Sequence, residues 1–353
     1  MDVIQWRVTL EGSIMIAEFP DPAGLFEEFQ AFERAFALRT ALELDLFTQI
    51  DSGAQSVPVL AEKCGAAERG MRILCDYLTV RGHLRKQAGL YSLTLNSRLY
   101  LSRNSELFLG SGAGFLTGDA MVGAFSHLTE AVRAGGAAIS QALLPDAACW
   151  VDFARAMAPL ASPVAQSAAA ALAGQSGAAM QVLDVAAGHG LYGLAIAALN
   201  PAAEIFALDW PKVLEIALEN ARLAGAAERY HLIPGDAFQV EFGGPYDLVI
   251  VASFAHHFDA AVNTSFFRKC RAALKPAGRL ALIDFIPDDE RISPAPDAAF
   301  ALTMLATTPA GDAYTFRDFS RMLRDAGFRE VQRLDTGELP DNDPPHWLIT
   351  ASL

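Results

Sequence analysis

The second half of the chain alternates short apolar runs with helical stretches, and that rhythm restricts the fold more than any other feature. Apolar runs at 181–186, 204–209, 230–233, 247–252 and 279–285 predict strands. Periodic stretches at 191–199, 211–224, 261–274 and 316–326 predict the helices between them. Strands apolar on both faces and separated by helices predict a parallel sheet covered on both sides. Two further candidate strands, 330–334 and 347–352, have no helix between them and should pair antiparallel.

The front of the chain reads differently. Alternation in Ile4, Trp6, Val8 and Leu10 suggests a strand. From Asp21 the pattern turns helical, with Leu25, Phe29, Phe32, Phe36, Leu44, Leu46 and Phe47 at three- and four-residue steps. So many large apolar groups exceed what one helix face in a small domain needs, and a partner subunit would cover them. Residues 57–64 and 68–81 read as two helices, followed by a short β pair at 84–85 and 90–93. This is the order of a winged helix-turn-helix, with Arg69, Arg72, Arg81, Arg85 and Lys86 as its basic face. A Gly- and Ala-rich helical bridge, broken at Pro145, Pro159 and Pro163, is expected over 106–175. The predicted division is 1–105 for the front domain and 106–353 for the rest, with the α/β core at 178–353.

Charge narrows the partners. With 27 Lys and Arg against 41 Asp and Glu, the net charge is −14. Such a chain repels phosphate backbones and anionic membrane surfaces. The winged helix is therefore read as structural or dimerising, and nucleic acid is not an expected partner. No run of about 18 apolar residues is present to span a bilayer, and the N-terminus lacks the pattern of a signal peptide. Cys64, Cys75, Cys149 and Cys270 form no CxxC pair, which predicts four buried thiols, a cytoplasmic setting and no structural metal site.

Gly188-His-Gly190-Leu-Tyr-Gly193 follows the first strand of the α/β core and matches a GxGxxG loop, whose glycines let a ligand approach the backbone at a helix N-terminus. Asp209, ending the second strand, is placed for ribose hydroxyls. A dinucleotide and S-adenosylmethionine (SAM) both fit so far. Asp184 separates them: a carboxylate beside the loop opposes a pyrophosphate and favours a ligand bearing an ammonium and a sulfonium. Asp236, in Gly235-Asp-Ala-Phe238, closes the third strand and is placed to accept from an adenine amino group, with Ala237 or Phe238 against the ring. Each acid alone could be a helix cap. Three at successive strand ends around one loop point to a cationic adenosyl ligand.

Several segments, in order, resemble the SAM-dependent O-methyltransferases of the caffeic-acid, hydroxyneurosporene and bacterial small-molecule type. They are Ala41-Leu-Glu-Leu-Asp-Leu-Phe47, residues 184–190, residues 235–238, Ala255-His-His-Phe-Asp259, Leu274-Lys-Pro-Ala-Gly278 and Ala326-Gly-Phe328. The resemblance covers roughly 25–353 and implies an α/β fold. Its parts are a seven-stranded Rossmann-like sheet with the last strand antiparallel and, ahead of it, a mainly α winged-helix dimerisation domain. It also implies a homodimer, SAM as methyl donor with S-adenosylhomocysteine as product, no metal, and a small aromatic acceptor. Cofactor contacts are implied for Asp184, Ala186, Gly188, Gly190, Asp209, Trp210, Asp236, Ala237, Phe238 and Ser253. Three departures stand out. Ala186 and Ala187 occupy places of loop glycines. A lysine lining the adenine site of plant members falls at Ala252, and a glutamate flanking their catalytic histidine falls near Ala313.

Methyl transfer from a sulfonium is an in-line displacement, so the protein must position the acceptor and remove its proton. A phenol ionises near pH 10, and a neutral imidazole is a competent base for it at pH 7. By resemblance His256 is that base and Asp284 orients it, while His257 stands where the family has an aspartate. Phe153, Met157, His257, Met304 and Thr308 are implied to face the acceptor, with Tyr314 a further candidate. The alternatives are a C- or N-methyltransferase on the same fold, a winged-helix SAM-sensing regulator without catalysis, and an NAD oxidoreductase. The smaller metal-dependent catechol-type enzymes lack this front domain.

Overall fold

The structure, a computed structural model, describes residues 23–137, 148–173, 177–334 and 347–353. The alternation at residues 4–10 and the break at Pro145 lie outside them.

The front region is helical: α1 (Ala23–Phe29), α2 (Ala31–Glu43), α3 (Leu46–Asp51), α4 (Val57–Lys63) and α5 (Glu68–Val80). The hairpin of β1 (Leu84–Gln87) and β2 (Leu90–Leu93) and then α6 (Leu95–Leu101) follow. Leu46, Phe47, Leu60, Met71, Leu78 and Tyr91 form its sealed core. The basic face is smaller than its sequence suggests, because Arg72 and Lys86 both pair with Asp76, at 3.1 and 2.5 Å. Leu25, Phe29 and Phe32 are each more than 60 % exposed, whereas Leu46 and Phe47 are buried. The apolar surplus of the first helices therefore faces outward.

The bridge comprises α7 (Ser111–Leu116), α8 (Asp119–Ser126), α9 (Leu128–Ala134) and the 25-residue α10 (Ala148–Leu172). Contrary to expectation, Pro159 and Pro163 do not break α10. Each removes one helical hydrogen bond. Burial of Val164, Ala165, Ala168, Ala169 and Leu172 in the main core supplies the opposing gain, about 25 cal/mol for each Å² of apolar area removed from water. The thiols also depart from expectation. Cys75 and Cys270 are buried, but Cys64, the residue capping α4, is only partly so. The Cys149 side chain lies outside the description.

The α/β core runs β3 (Met180–Val185), α11 (Leu191–Leu199), β4 (Ala203–Asp209), α12 (Pro211–Leu223), β5 (Tyr230–Pro234), β6 (Tyr246–Ala252), α13 (Ala260–Ala272) and β7 (Leu274–Asp284). It closes with α14 (Ala295–Thr307), α15 (Phe316–Asp325), β8 (Glu330–Leu334) and β9 (Trp347–Ser352). The seven strands lie in the order β5-β4-β3-β6-β7-β9-β8. β9 runs antiparallel to both of its neighbours. Alternate strand residues serve opposite faces: Val182, Leu248 and Ile250 join one core cluster, and Leu183, Val249 and Val251 the other. The strand order reverses at β3, between β4 and β6. Ligands of open α/β sheets bind in the crevice beyond the strand ends at that point.

Candidate active site

The loop between β3 and α11 is held by two carboxylates. Gly188 N–H donates to Asp209 Oδ2 at 2.8 Å, and Asp209 Oδ1 accepts the Trp210 N–H at 2.7 Å. Gly193 N–H donates to Asp184 Oδ2 at 3.0 Å. Asp184 is 1 % exposed, and burial, with a smaller contribution from the Asp209 charge, pushes it up to about 7 against the Gly193 bond. This revises the sequence reading. Asp184 turns inward to the first turn of α11 instead of presenting a charge at the mouth of the loop. The half-buried Asp209, raised to about 6 chiefly by burial, is the acid that remains at the loop.

The glycines have separate reasons. A Cβ on Gly193 would meet Ile205 Cγ2 at 2.6 Å, so that residue lets α11 approach β4 closely. Gly188, at φ +56°, has only the Ala186 carbonyl within 4 Å of a built Cβ, leaving space above the backbone. Ala186 itself adopts φ 54°, a left-handed conformation that a glycine would take without strain. His189, between the glycines, is buried and pushed down to about 4, and its Nδ1 accepts the Leu191 N–H at 3.2 Å. Beyond β5, Asp236 Oδ1 accepts the Phe238 N–H at 2.8 Å, and Ala237 is buried. The half-buried Phe238 joins Phe254, Phe258 and Phe266 in an aromatic group.

The turn after β6 carries the two histidines. β6 pairs directly with β3, Val251 opposite Val185, so this turn emerges beside the glycine loop. Ser253 adopts φ 50°, gives its N–H to Ile283 O at 2.8 Å, and meets the Tyr192 hydroxyl through its side chain. Three carbonyls around the histidines are tied down. Asn263 Nδ2 donates to Ala255 O at 2.8 Å and Phe258 O at 3.1 Å, Asp312 N–H to His256 O at 2.9 Å, and Tyr314 Oη to Phe258 O at 2.8 Å. His256 is 4 % exposed and its Nδ1 lies 2.5 Å from Asp284 Oδ1 at the end of β7. Asp284, fully buried, also accepts the Phe285 N–H at 2.9 Å through the same oxygen. In the neutral ring a carboxylate beside Nδ1 places the proton there and leaves Nε2 with its lone pair. Burial and the neighbouring His256 hold His257 well below the usual imidazole range, so it is neutral at pH 7.

An aromatic series joins the long bridge helix to these rings. Phe115 meets Phe153 at 5.1 Å, Phe153 meets Trp150 at 5.7 Å, Trp150 meets His257 at 5.5 Å, and His257 meets His256 at 4.3 Å. Trp150 thus links Phe153 to the histidines, and the half-buried Met157 lies one turn along α10 from Phe153. On the other side Phe300 of α14 meets the His256 ring at 4.8 Å and stacks on Phe285 at 3.9 Å. The buried Met304 lies one turn beyond Phe300.

Thr308 is not on the helix. It caps α14 with no exposed surface, donating to Met304 O at 2.7 Å and accepting the Gly311 N–H at 2.8 Å. Its hydroxyl is therefore committed to the turn that closes over His256. Trp210 packs against the buried cluster of Ala154, Val213 and Ile216. Sequence reasoning missed Trp150, Asn263, Phe285 and Phe300. Two of these stood in reach of helical spacing, three residues before Phe153 and four before Met304.

A switch-point crevice with a glycine loop, a strand-end acid and a buried His–Asp pair is the equipment of a group-transfer enzyme. A family model describing an O-methyltransferase domain matches residues 125–329, and one describing an O-methyltransferase dimerisation domain matches 26–103. The chain belongs to the SAM-dependent O-methyltransferase family. It is similar to a solved structure from Nostoc punctiforme assigned as an O-methyltransferase, with 44% identity, a TM-score of 0.88, and coverage of 95% of this chain and 99% of that one. It is also similar to the tetracenomycin polyketide synthesis 8-O-methyltransferase of Streptomyces glaucescens, 26% identical over 88% of this chain and 92% of the relative. The mitomycin biosynthesis 6-O-methyltransferase of Streptomyces lavendulae is 28% identical over 87% and 89%. Among the described residues no cluster of three His, Cys, Asp or Glu is arranged to hold a metal ion, and no helix is long and apolar enough to cross a membrane.

Proposed function

We propose that this chain moves the methyl group of SAM to a hydroxyl of a small aromatic acceptor, with His256 as general base. The observation that carries the reading is the buried His256–Asp284 pair at 2.5 Å, beside the glycine loop at the strand ends. The loop suits SAM on its own chemistry. Residues 184–193 include no Lys or Arg to meet a pyrophosphate, Gly188 leaves open space over its backbone, and Asp209 is placed to accept from ribose hydroxyls. Asp236 and Phe238 are assigned to the adenine. When bound, SAM supplies an electrophilic methyl on a sulfonium.

The remaining work falls to side chains of this protein. His256 Nε2 takes the acceptor's hydroxyl proton, and Asp284 holds Nδ1–H in place and stabilises the imidazolium that forms. Neutral His257, Trp150, Phe153, Phe300 and Met304 wall the acceptor, keep water away and align its oxygen for in-line attack. Relatives named for tetracenomycin polyketide and mitomycin synthesis support a small-molecule acceptor. The division near residue 105 and a homodimer through the front domain complete the reading, supported by the outward apolar residues of α1 and α2.

The test uses SAM carrying an isotopically labelled methyl group and a panel of phenols, hydroxyquinones, aryl amines and carbon nucleophiles, read by mass spectrometry. Labelled aryl ethers are expected. Label on carbon or nitrogen alone, or binding of NADH without SAM in calorimetry, would contradict the proposal.

A further inference from the structure

The resemblance implies a second acid beside the histidine, and this chain has none at that place. Ala313 stands near its position, and the neighbouring Asp312 turns its carboxylate to Arg291 at 2.8 Å. A different acid reaches the pair. Asp297, in the first turn of α14, is fully buried and does not cap its own helix. Its Oδ2 accepts the Ile286 N–H at 3.0 Å, while Asp284 Oδ1 accepts the N–H of the preceding residue, Phe285, at 2.9 Å. Residues adjacent in the chain have Cα atoms only about 3.8 Å apart, so the two carboxylates grip successive peptide groups of one short segment. Each keeps one buried oxygen with no hydrogen-bond partner, Asp297 Oδ1 and Asp284 Oδ2. Phe300, one turn after Asp297, stacks on Phe285 and meets the His256 ring edge-on. The seat of α14 and the seat of the imidazole are therefore built from the same residues.

We infer that Asp297 is a positioning residue of the catalytic pair, a second carboxyl whose charge acts through Asp284 to make His256 more basic. The inference rests on the reading of His256 as the base. Asp297 faces Asp284 on β7 and Arg333 on β8. Asp284 in turn faces His256 and the Tyr192 hydroxyl of α11, and His257 lies against His256. Burial first, then the Asp284 charge, raises the Asp297 carboxyl to about 6, with Arg333 and the Ile286 N–H opposing. It therefore gains its charge in the range where an imidazole titrates. Once charged it favours the imidazolium, so removing the charge lowers the pH at which His256 releases its proton.

The test is an NMR titration of the His256 ring in the full chain, as wild type, Asp297→Asn and Asp297→Ala, beside the pH profile of kcat. Asn preserves an acceptor for the Ile286 N–H and removes only the charge. In Asp297→Asn the His256 midpoint is expected to fall by roughly half a pH unit or more. The acidic limb of kcat should move with it, while the acceptor KM stays near wild type. A merely structural role predicts a wild-type midpoint in Asn and disturbance in Ala alone, which would overturn the proposal. Should both variants fail to fold, the carboxyl carbon of Asp297 in the wild-type protein decides. An inflection shared with His256 supports the coupling, and independent titration refutes it. A shifted midpoint with an unmoved kcat limb would retain the coupling and remove the base role instead, separating the two claims.

Discussion

Asp184→Asn is expected to gain stability relative to wild type as pH rises. Asp184 is 1 % exposed, and its carboxyl is raised from 3.8 to about 7, with burial the largest cause. An acid raised in the folded state binds more protons folded than unfolded. Its favourable contribution is complete below the unfolded value near 4 and is lost as pH climbs through the folded value near 7. Three units at about 1.4 kcal/mol each put the whole loss at about 4 kcal/mol. About 2–3 kcal/mol of that falls between pH 5 and pH 8. Asparagine removes this slope while its amide oxygen still accepts the Gly193 N–H. Asp209 and Asp297, both raised to about 6, add slopes of the same sign that cancel when variant and wild type are compared. The assay is urea unfolding of both proteins at pH 5 and pH 8. A stability difference that is the same at both pH values would refute the reasoning, because it would mean that Asp184 ionises as an ordinary carboxyl.

Three further perturbations follow from the site. Asp284→Asn keeps an acceptor for Phe285 N–H but no longer fixes the proton on His256 Nδ1, so kcat is expected to fall about 10²–10⁴-fold with SAM affinity, measured by calorimetry, little changed. Gly311→Ala drives a Cβ into the His256 carbonyl and to 2.6 Å from Thr308 Oγ1. A backbone atom cannot yield cheaply, so a loss of about 1–3 kcal/mol in thermal unfolding and a lower kcat are expected. Thr308→Val releases the Gly311 N–H, which should cost about 1 kcal/mol and reduce kcat without altering SAM binding.

Much of the α/β core was legible because its signals are local. The predicted helix at 191–199 and the strands at 330–334 and 347–352 match α11, β8 and β9 to the residue, since apolar period and turn residues mark such elements directly. The His256–Asp284 pair was reachable through the family resemblance, and the structure seats it where the turn after β6 meets the end of the neighbouring β7. Other features depend on contacts that no local pattern records. Pro159 and Pro163 read as breaks, yet tertiary burial carries α10 through them. Asp184 was expected to face the ligand, and its inward turn depends on how closely Gly193 lets α11 approach β4. Thr308 was read at helical spacing from Met304, but one residue of helix end converts it into a turn clamp. Trp150 and Phe300 meet the histidines from helices far away in sequence, and their roles emerge only in the packed molecule.

The account stands on His256 as the group that takes the acceptor's proton. The direct measurement is SAM affinity by calorimetry alongside single-turnover methyl transfer for wild type and His256→Ala, with acceptor saturating. Affinity within about threefold of wild type and transfer slowed by about 10²-fold or more are predicted. Transfer within a few-fold of wild type, with SAM bound equally well, would contradict it.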